Sequence, residues 1–205
     1  MNLENLKLYL PKFLSVESEK LLFENLKNFP KNIDNRLYTT YLKDASIIFQ
    51  GDGIKDMLVI NLPNTEIRKA NSIILSNTCD INSENKRNFP SQIVYAPIFN
   101  LSKYEKALKS QSQKTEKQII EHIEAIKKQR ITQIFYLPKI DENLDESIIF
   151  FDRVNNCSIN YLENKKVKDE RIFTLSDYGA YLFIFKMSIH FTRIQDKVDR
   201  NKEGK

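Results

Sequence analysis

The densest group of reactive side chains in the 205-residue sequence is Ser76-Asn77-Thr78-Cys79-Asp80, which follows the apolar run Ser72-Ile73-Ile74-Leu75. Hydroxyl, amide, thiol and carboxylate groups gather at one strand end, the place where rigid scaffolds usually present functional side chains. As a nucleophile Cys79 needs a base or a cation to populate its thiolate. Asp80 is adjacent, and His190 is one of only two imidazoles in the chain. The other, His122, lies between Glu121 and Ile123 and reads as a solvated helix residue. The competing reading of the string is an Asx or Ser/Thr turn in which Cys79 packs as a small hydrophobe.

A second pattern is electrostatic. Lys186, His190, Arg193, Lys197 and Arg200 recur at helical spacing and form one stripe without an acidic residue. Such a stripe suits phosphate contact; the alternative is a solvated edge, since basic residues favour helix C-termini. The net charge of +5 is unevenly spread, with +1 from residues 1–101, +4 from 102–130, −3 from 131–185 and +3 from 186–205. A nucleic-acid partner would therefore meet the helices rather than the strands. Phe135-Tyr136-Leu137 and Phe150-Phe151 read as core strands that stack bases only if exposed. Asp152-Arg153 reads as an internal ion pair. Gly51-Asp52-Gly53 lacks the Lys-Ser/Thr of a phosphate loop and reads as a tight hairpin. With no paired carboxylates, serine elbow, Cys-x-x-Cys or metal-ligand spacing in the sequence, no cofactor or metal is expected.

The elements that must position these groups fall into two kinds. Ser15-Val16-Glu17-Ser18 opens a short amphipathic helix carrying Leu21, Leu22, Leu26 and Phe29, which Pro30 closes. Beyond a Thr-, Tyr- and Ile-rich stretch at 36–49 come β-branched runs at 57–62, 72–76 and 92–98, separated by turn residues. Close spacing of this kind predicts a small barrel or a strongly bent antiparallel sheet. From Ser102 the period turns helical, with Ile119, Ile120, Ile123 and Ile126 on one face, giving a long middle helix or a broken pair over 102–130. Strand-like runs return at 131–137, 147–151, 159–162 and 171–174, and Asp141 to Glu146 reads as an acidic surface loop. A buried C-terminal helix starts at the N-cap Ser176 and runs to about Arg200.

The fold class expected is thus α+β in one domain, 1–205. An N-terminal helical segment (1–35), a β core (36–101), a helix (102–130), further strands (131–175) and a C-terminal helix (176–200) follow in order. A composition of 41% hydrophobic and 29% charged residues excludes disordered, collagen-like and mucin-like classes, and two widely separated cysteines exclude a disulfide scaffold. The start shows no basic region leading into an apolar core, and the longest apolar stretch, Tyr178 to Phe185, is far short of a membrane span. A cytoplasmic protein without a membrane partner is expected.

Residues 51–98 resemble the PemK/MazF family of toxin endoribonucleases in the order of their features. Gly51-Asp52 opens a strand, Leu58-Val59-Ile60-Asn61-Leu62-Pro63 follows, then Glu66, then Ser72-Ile73-Ile74-Leu75-Ser76, then Ile93-Val94-Tyr95-Ala96-Pro97-Ile98. The likeness covers less than a quarter of the chain. Where the family has Arg-Pro before the Leu-Ser strand, this chain has Ala70-Asn71, with Arg68-Lys69 upstream. The resemblance implies an SH3-like barrel and a metal-independent, RNA-acting toxin of a toxin–antitoxin or phage-defence locus, with an antitoxin or a second copy as protein partner. It also implies Arg68 as the cation at the cleaved phosphate and Ser76 or Thr78 as the proton-transferring hydroxyl. Ser76 to Asp80 also resembles the signature of an uncharacterised bacterial family. The alternative is a non-catalytic module that binds nucleic acid or protein.

Overall fold

Alternation of apolar side chains decides the architecture. In β5 (Ile134–Leu137) and β6 (Ser147–Phe150) every residue is buried. Phe135 and Ile149 enter one core, while Ile134, Tyr136, Ile148 and Phe150 enter another. Period-2 side chains buried on both sides require a covered sheet on both faces. The computed structural model describes residues 15–82, 84–85, 88–163 and 167–192, and shows how that cover is built.

The remaining strands are β1 (Tyr38–Thr39), β2 (Gly53–Asn61), β3 (Asn64–Ile74), β4 (Gln92–Asn100), β7 (Asn155–Ser158) and β8 (Arg171–Leu175). All pair antiparallel in the order β1-β8-β2-β3-β4-β6-β5, with β7 beside the first half of β4. The α+β class is as expected. The sheet is open, since β1 and β5 end the path without pairing to each other among the described residues, so it does not close as a barrel.

Eight helices are present among the described residues. On one face lie α1 (Val16–Lys27), α2 (Ile33–Arg36) and α8 (Asp177–Thr192), whose Leu22, Ile33, Tyr178, Leu182 and Phe183 pack on Ile73, Phe135, Ile149, Phe173 and Leu175. Over β5 and β6 on the other face lie α4 (Leu101–Gln111) and α5 (Glu116–Lys127). A third cluster, with Ile54, Ile74, Ile93 and Tyr95, is closed by Ile81 of α3 (Thr78–Ile81) and Leu162 of α6 (Asn160–Glu163). Adjacent Ile73 and Ile74 thus serve opposite cores. A short α7 (Val167–Glu170) precedes β8.

Several expectations change. The middle segment is the broken pair, not one long helix: the Ser112 hydroxyl donates to the Leu108 carbonyl at 2.6 Å, closing α4, and Thr115 and Gln118 form a reciprocal capping box that opens α5. Residues 159–162 fall largely in α6 rather than in a strand, and β7 lies just before them. The stretch 36–49 contributes only the two residues of β1. Gly51-Asp52-Gly53 is therefore no hairpin between strands. Gly51 has φ +89°, a conformation open to glycine, and its N–H donates to the Ile74 carbonyl at 2.8 Å as the chain swings into β2.

Asp52, at that turn, is fully buried and meets Arg171, 119 residues away, at 3.1 Å. Arg171 also donates from Nη1 to the carbonyls of Leu42, Lys43 and Ala45 at 2.8–3.0 Å, and from Nη2 to that of Ile47. One guanidinium thereby organises the irregular loop between β1 and β2. Burial pushes the Asp52 carboxyl up, and the Phe49 N–H, Arg171 and Thr174 oppose that rise.

Candidate nucleic-acid interface

The Ser76–Asp80 string is built as a strand terminus. The Ser76 hydroxyl accepts from the Val94 N–H at 2.8 Å, the Thr78 hydroxyl from the Gln50 N–H at 3.0 Å, and Asn77 Oδ1 from the Cys79 N–H at 2.9 Å as the N-cap of α3. Asn77 thus makes an Asx turn, while Ser76 and Thr78 tie the end of β3 to backbone donors 18 and 28 residues away. Cys79 is exposed rather than packed as a hydrophobe, and it carries no disulfide. The Asp80 carbonyl accepts from the Ser91 hydroxyl at 2.8 Å.

The other candidate catalytic groups lie elsewhere. His190 stands on α8, with its ring 5.8 Å from Phe151 and 5.0 Å from Phe191. Phe151 belongs to the core on the α8 side of the sheet, whereas Ile81 anchors α3 in the core on the opposite side. The sheet therefore separates His190 from Cys79. Arg68 lies exposed on β3, six residues before its end, so about 20 Å of extended strand divides it from Ile74. It pairs at 2.5 Å with Glu66 beside a shallow hollow lined by Val59, Asn61 and Asn64. The Arg68 hydrogen bond and charge hold the Glu66 carboxyl below the usual range.

The C-terminal basic stripe loses its first member. Lys186 is buried: Nζ donates to Gln129 Oε1 at 2.7 Å and to the Ile134 carbonyl, and stands 5.8 Å from the Phe135 ring centre. The same Gln129 bonds the Tyr136 backbone twice, at 2.8 and 3.2 Å, and holds φ +56°. Lys186 thus ties α8 to the loop between α5 and β5. Burial lowers its ammonium to about 7. Arg193, Lys197 and Arg200 lie outside the described residues.

A different site emerges along α4. The end of β4, the end of β6 and one face of α4 enclose a cleft of about 500 Å3. Asn100 caps the helix, accepting from the Lys103 N–H at 3.0 Å, and so fixes the turn that brings Lys103 and Tyr104 to the cleft. Phe150 forms T-shaped pairs with Phe99 and Tyr104, at 5.6 and 5.7 Å between centroids. Over these rings lies Arg153, its guanidinium 4.5 Å from the Phe150 centre and 5.1 Å from that of Phe99. Ala107, Leu108, Gln111 and Ser112 continue the wall. No carboxylate lines the cleft, and neither Lys103 nor Arg153 joins an ion pair among the described residues.

The expected pair Asp152-Arg153 does not form, because Asp152 accepts from Gln133 Nε2 and Arg153 turns to the rings. His122 is half-buried rather than solvated, and its Nε2 stands 3.1 Å from the Tyr104 hydroxyl. Burial, then Lys114, lowers the His122 imidazole. Burial raises the Tyr104 phenol, while Arg153 pulls it down. The acidic loop also has work to do: Glu146 accepts from the Tyr136 hydroxyl at 2.5 Å and pairs with Lys127 at 2.7 Å.

In sequence the cleft is dispersed over residues 99–112 and 150–153. Its available signals were the positive segment 102–130 and the Phe150-Phe151 run, and nothing in the pattern joined them. Among the described residues no group of three or more His, Cys, Asp or Glu could hold a metal ion, and no helix is long and apolar enough to cross a membrane. The chain matches no protein-family model and no curated protein sequence.

Proposed function

We propose that this chain acts on RNA by binding it through the cleft between α4, β4 and β6. The observation that carries the reading is the layering of Arg153 over Phe99 and Phe150, beside Tyr104 and Lys103, with no carboxylate in the wall. A flat guanidinium or an aromatic face accepts bases of any sequence, and unpaired cations accept phosphate. The positive balance of residues 102–130 extends this field around the cleft.

The test is fluorescence anisotropy with a labelled single-stranded RNA 12-mer. Wild type should bind at 50 mM salt and weaken steeply by 200 mM. The Lys103→Glu, Arg153→Glu double variant should lose at least about tenfold in affinity, with a salt slope lowered by about 1.4 if both cations contact phosphate. Both side chains are exposed and only the two ring contacts of Arg153 are lost, so the melting temperature should fall by no more than about 2–8 °C. No binding by wild type at 100 μM protein would overturn the reading.

A catalytic version, the metal-independent endoribonuclease of a toxin–antitoxin locus, is supported by one arrangement. Arg68 and Glu66 stand side by side on an exposed stretch of β3, offering a cation for phosphorane charge and a carboxylate for the 2′-hydroxyl proton. Expression in cells with an assay of RNA integrity decides it: wild type should degrade RNA and Arg68→Ala should not. Intact RNA and normal growth with wild type would leave the binding role alone.

A further inference from the structure

We infer that the α4 cleft takes one unpaired nucleotide at a time, with its base on the outer face of Arg153 beside Tyr104 and its phosphate at Lys103. This rests on the RNA-binding reading and names the unit that the site accepts. Three features of the cleft point to it.

The first is the division of chemistry along α4. The cations and rings cluster at the start of the helix, whereas Gln111 and Ser112 at its end are neutral. From Asn100 to Ser112 the helix rises by about 18 Å, and only its first turn sets a cation beside the rings and the Arg153 plane, so one stacking position is marked. The volume of about 500 Å3 likewise falls within the range of about 300–1,000 Å3 that encloses a single small ligand. Ser112 already donates to Leu108, so the exposed amide of Gln111, with donors and an acceptor, is the group left to meet a base edge.

The second feature is Arg153. Its guanidinium lies on aromatic rings and is tied to no carboxylate among the described residues, so its outer face is a flat cationic platform. Such a plane stacks on a nucleobase, and an ammonium cannot do so. The third is the enclosing wall. A base inside a duplex has both faces covered by its neighbours and cannot lie on the Arg153 plane within the cleft, whereas an unstacked base can.

The experiment compares four probes on the full chain: a labelled single-stranded RNA 12-mer, the same strand in a perfect duplex, adenosine 5′-monophosphate and inorganic phosphate. Expected are at least about tenfold tighter binding of the single strand than of the duplex, competition by the mononucleotide, and weaker competition by phosphate at equal concentration. Arg153→Lys keeps the charge and removes the plane, so it should cost the single strand about tenfold and leave the duplex unchanged. Gln111→Ala, on an exposed helix position, should weaken the mononucleotide without changing phosphate competition.

Equal affinity for both RNA forms, with Arg153→Lys indistinguishable from wild type, would overturn the single-nucleotide site and leave RNA binding by phosphate contacts standing. Equal competition by mononucleotide and phosphate would also overturn it. If neither RNA form binds, the RNA-binding reading falls and this inference falls with it.

Discussion

Replacing Arg171 by Met tests the most concentrated long-range contact in the fold. Methionine keeps much of the apolar stem but removes five donors, leaving the Asp52 carboxylate, itself fully buried, without its cation. Removing one partner of a buried ion pair typically costs about 3–5 kcal/mol, because the surviving charge stays desolvated. The four carbonyls that Arg171 gathers, from Leu42 to Ile47, belong to a loop whose residues are mostly exposed, so they turn to water rather than remain orphaned. Their loss should act locally, by opening the loop.

Two readouts therefore separate the terms. Denaturation followed by circular dichroism should show a loss of about 3–5 kcal/mol, a fall in Tm of roughly 6–20 °C for a chain of this size. Limited trypsin digestion should show new cleavage after Lys43 under native conditions. Asp52→Leu combined with Arg171→Met removes both charges and should recover part of the global loss, since an apolar pair often replaces a buried ion pair at little cost. It should recover none of the protection at Lys43. A loss below about 1 kcal/mol in Arg171→Met, with Lys43 still protected, would refute the assignment of this guanidinium as the organiser of the loop.

Other outcomes follow from single contacts. Because burial brings Lys186 from 10.5 to about 7, the unfolded chain binds a proton between those values that the folded chain lacks, so this group makes stability rise with pH across that window and is most costly below it. Urea midpoints at pH 7 and 9.5 should show Lys186→Met gaining relative to wild type at the lower pH, by on the order of a few kcal/mol less the two lost hydrogen bonds; a pH-independent difference would contradict this. Gly179→Ala should destabilise by more than about 1 kcal/mol despite the better helix propensity, because the new Cβ would stand 2.1 Å from the Leu37 carbonyl oxygen; thermal melting checks it. Iodoacetamide should alkylate exposed Cys79 before half-buried Cys157, as peptide mass spectrometry would show.

Local features were legible where one residue's partners lie a few positions away. Ser15 caps α1, and the α8 start at Ser176-Asp177 is as read, with the Ser176 hydroxyl accepting from the Gly179 N–H at 3.1 Å. Asn77 forms a local turn, because its side chain finds the Cys79 N–H two residues on, whereas the partners of Ser76 and Thr78 on Val94 and Gln50, and the exposure of Cys79, were not legible. The break between α4 and α5 was less legible, since the polar run Lys109 to Gln118 suits either an exposed helix or two caps. The antiparallel sheet was one of the two alternatives the strand spacing allowed, but the choice between sheet and barrel was not readable, because closure depends on where the terminal strands lie in space.

By itself, then, the sequence determined the period of most elements, the N-caps of α1 and α8, and hence which residues of those elements share a face. Only the tertiary structure decided which face would be covered. Lys186 and Lys103 are the same side chain on helices of positive segments, yet one is sealed against Gln129 and Phe135 and the other borders an open cleft. Arg153 adjoins Asp152 in sequence and faces rings contributed by residues 99 and 150. Arg171 finds its carboxylate 119 residues away. Periodicity reports a side chain's direction relative to its own backbone, whereas charge exposure and ring stacking depend on the neighbour that packing brings, and that is why the cleft took shape only in three dimensions.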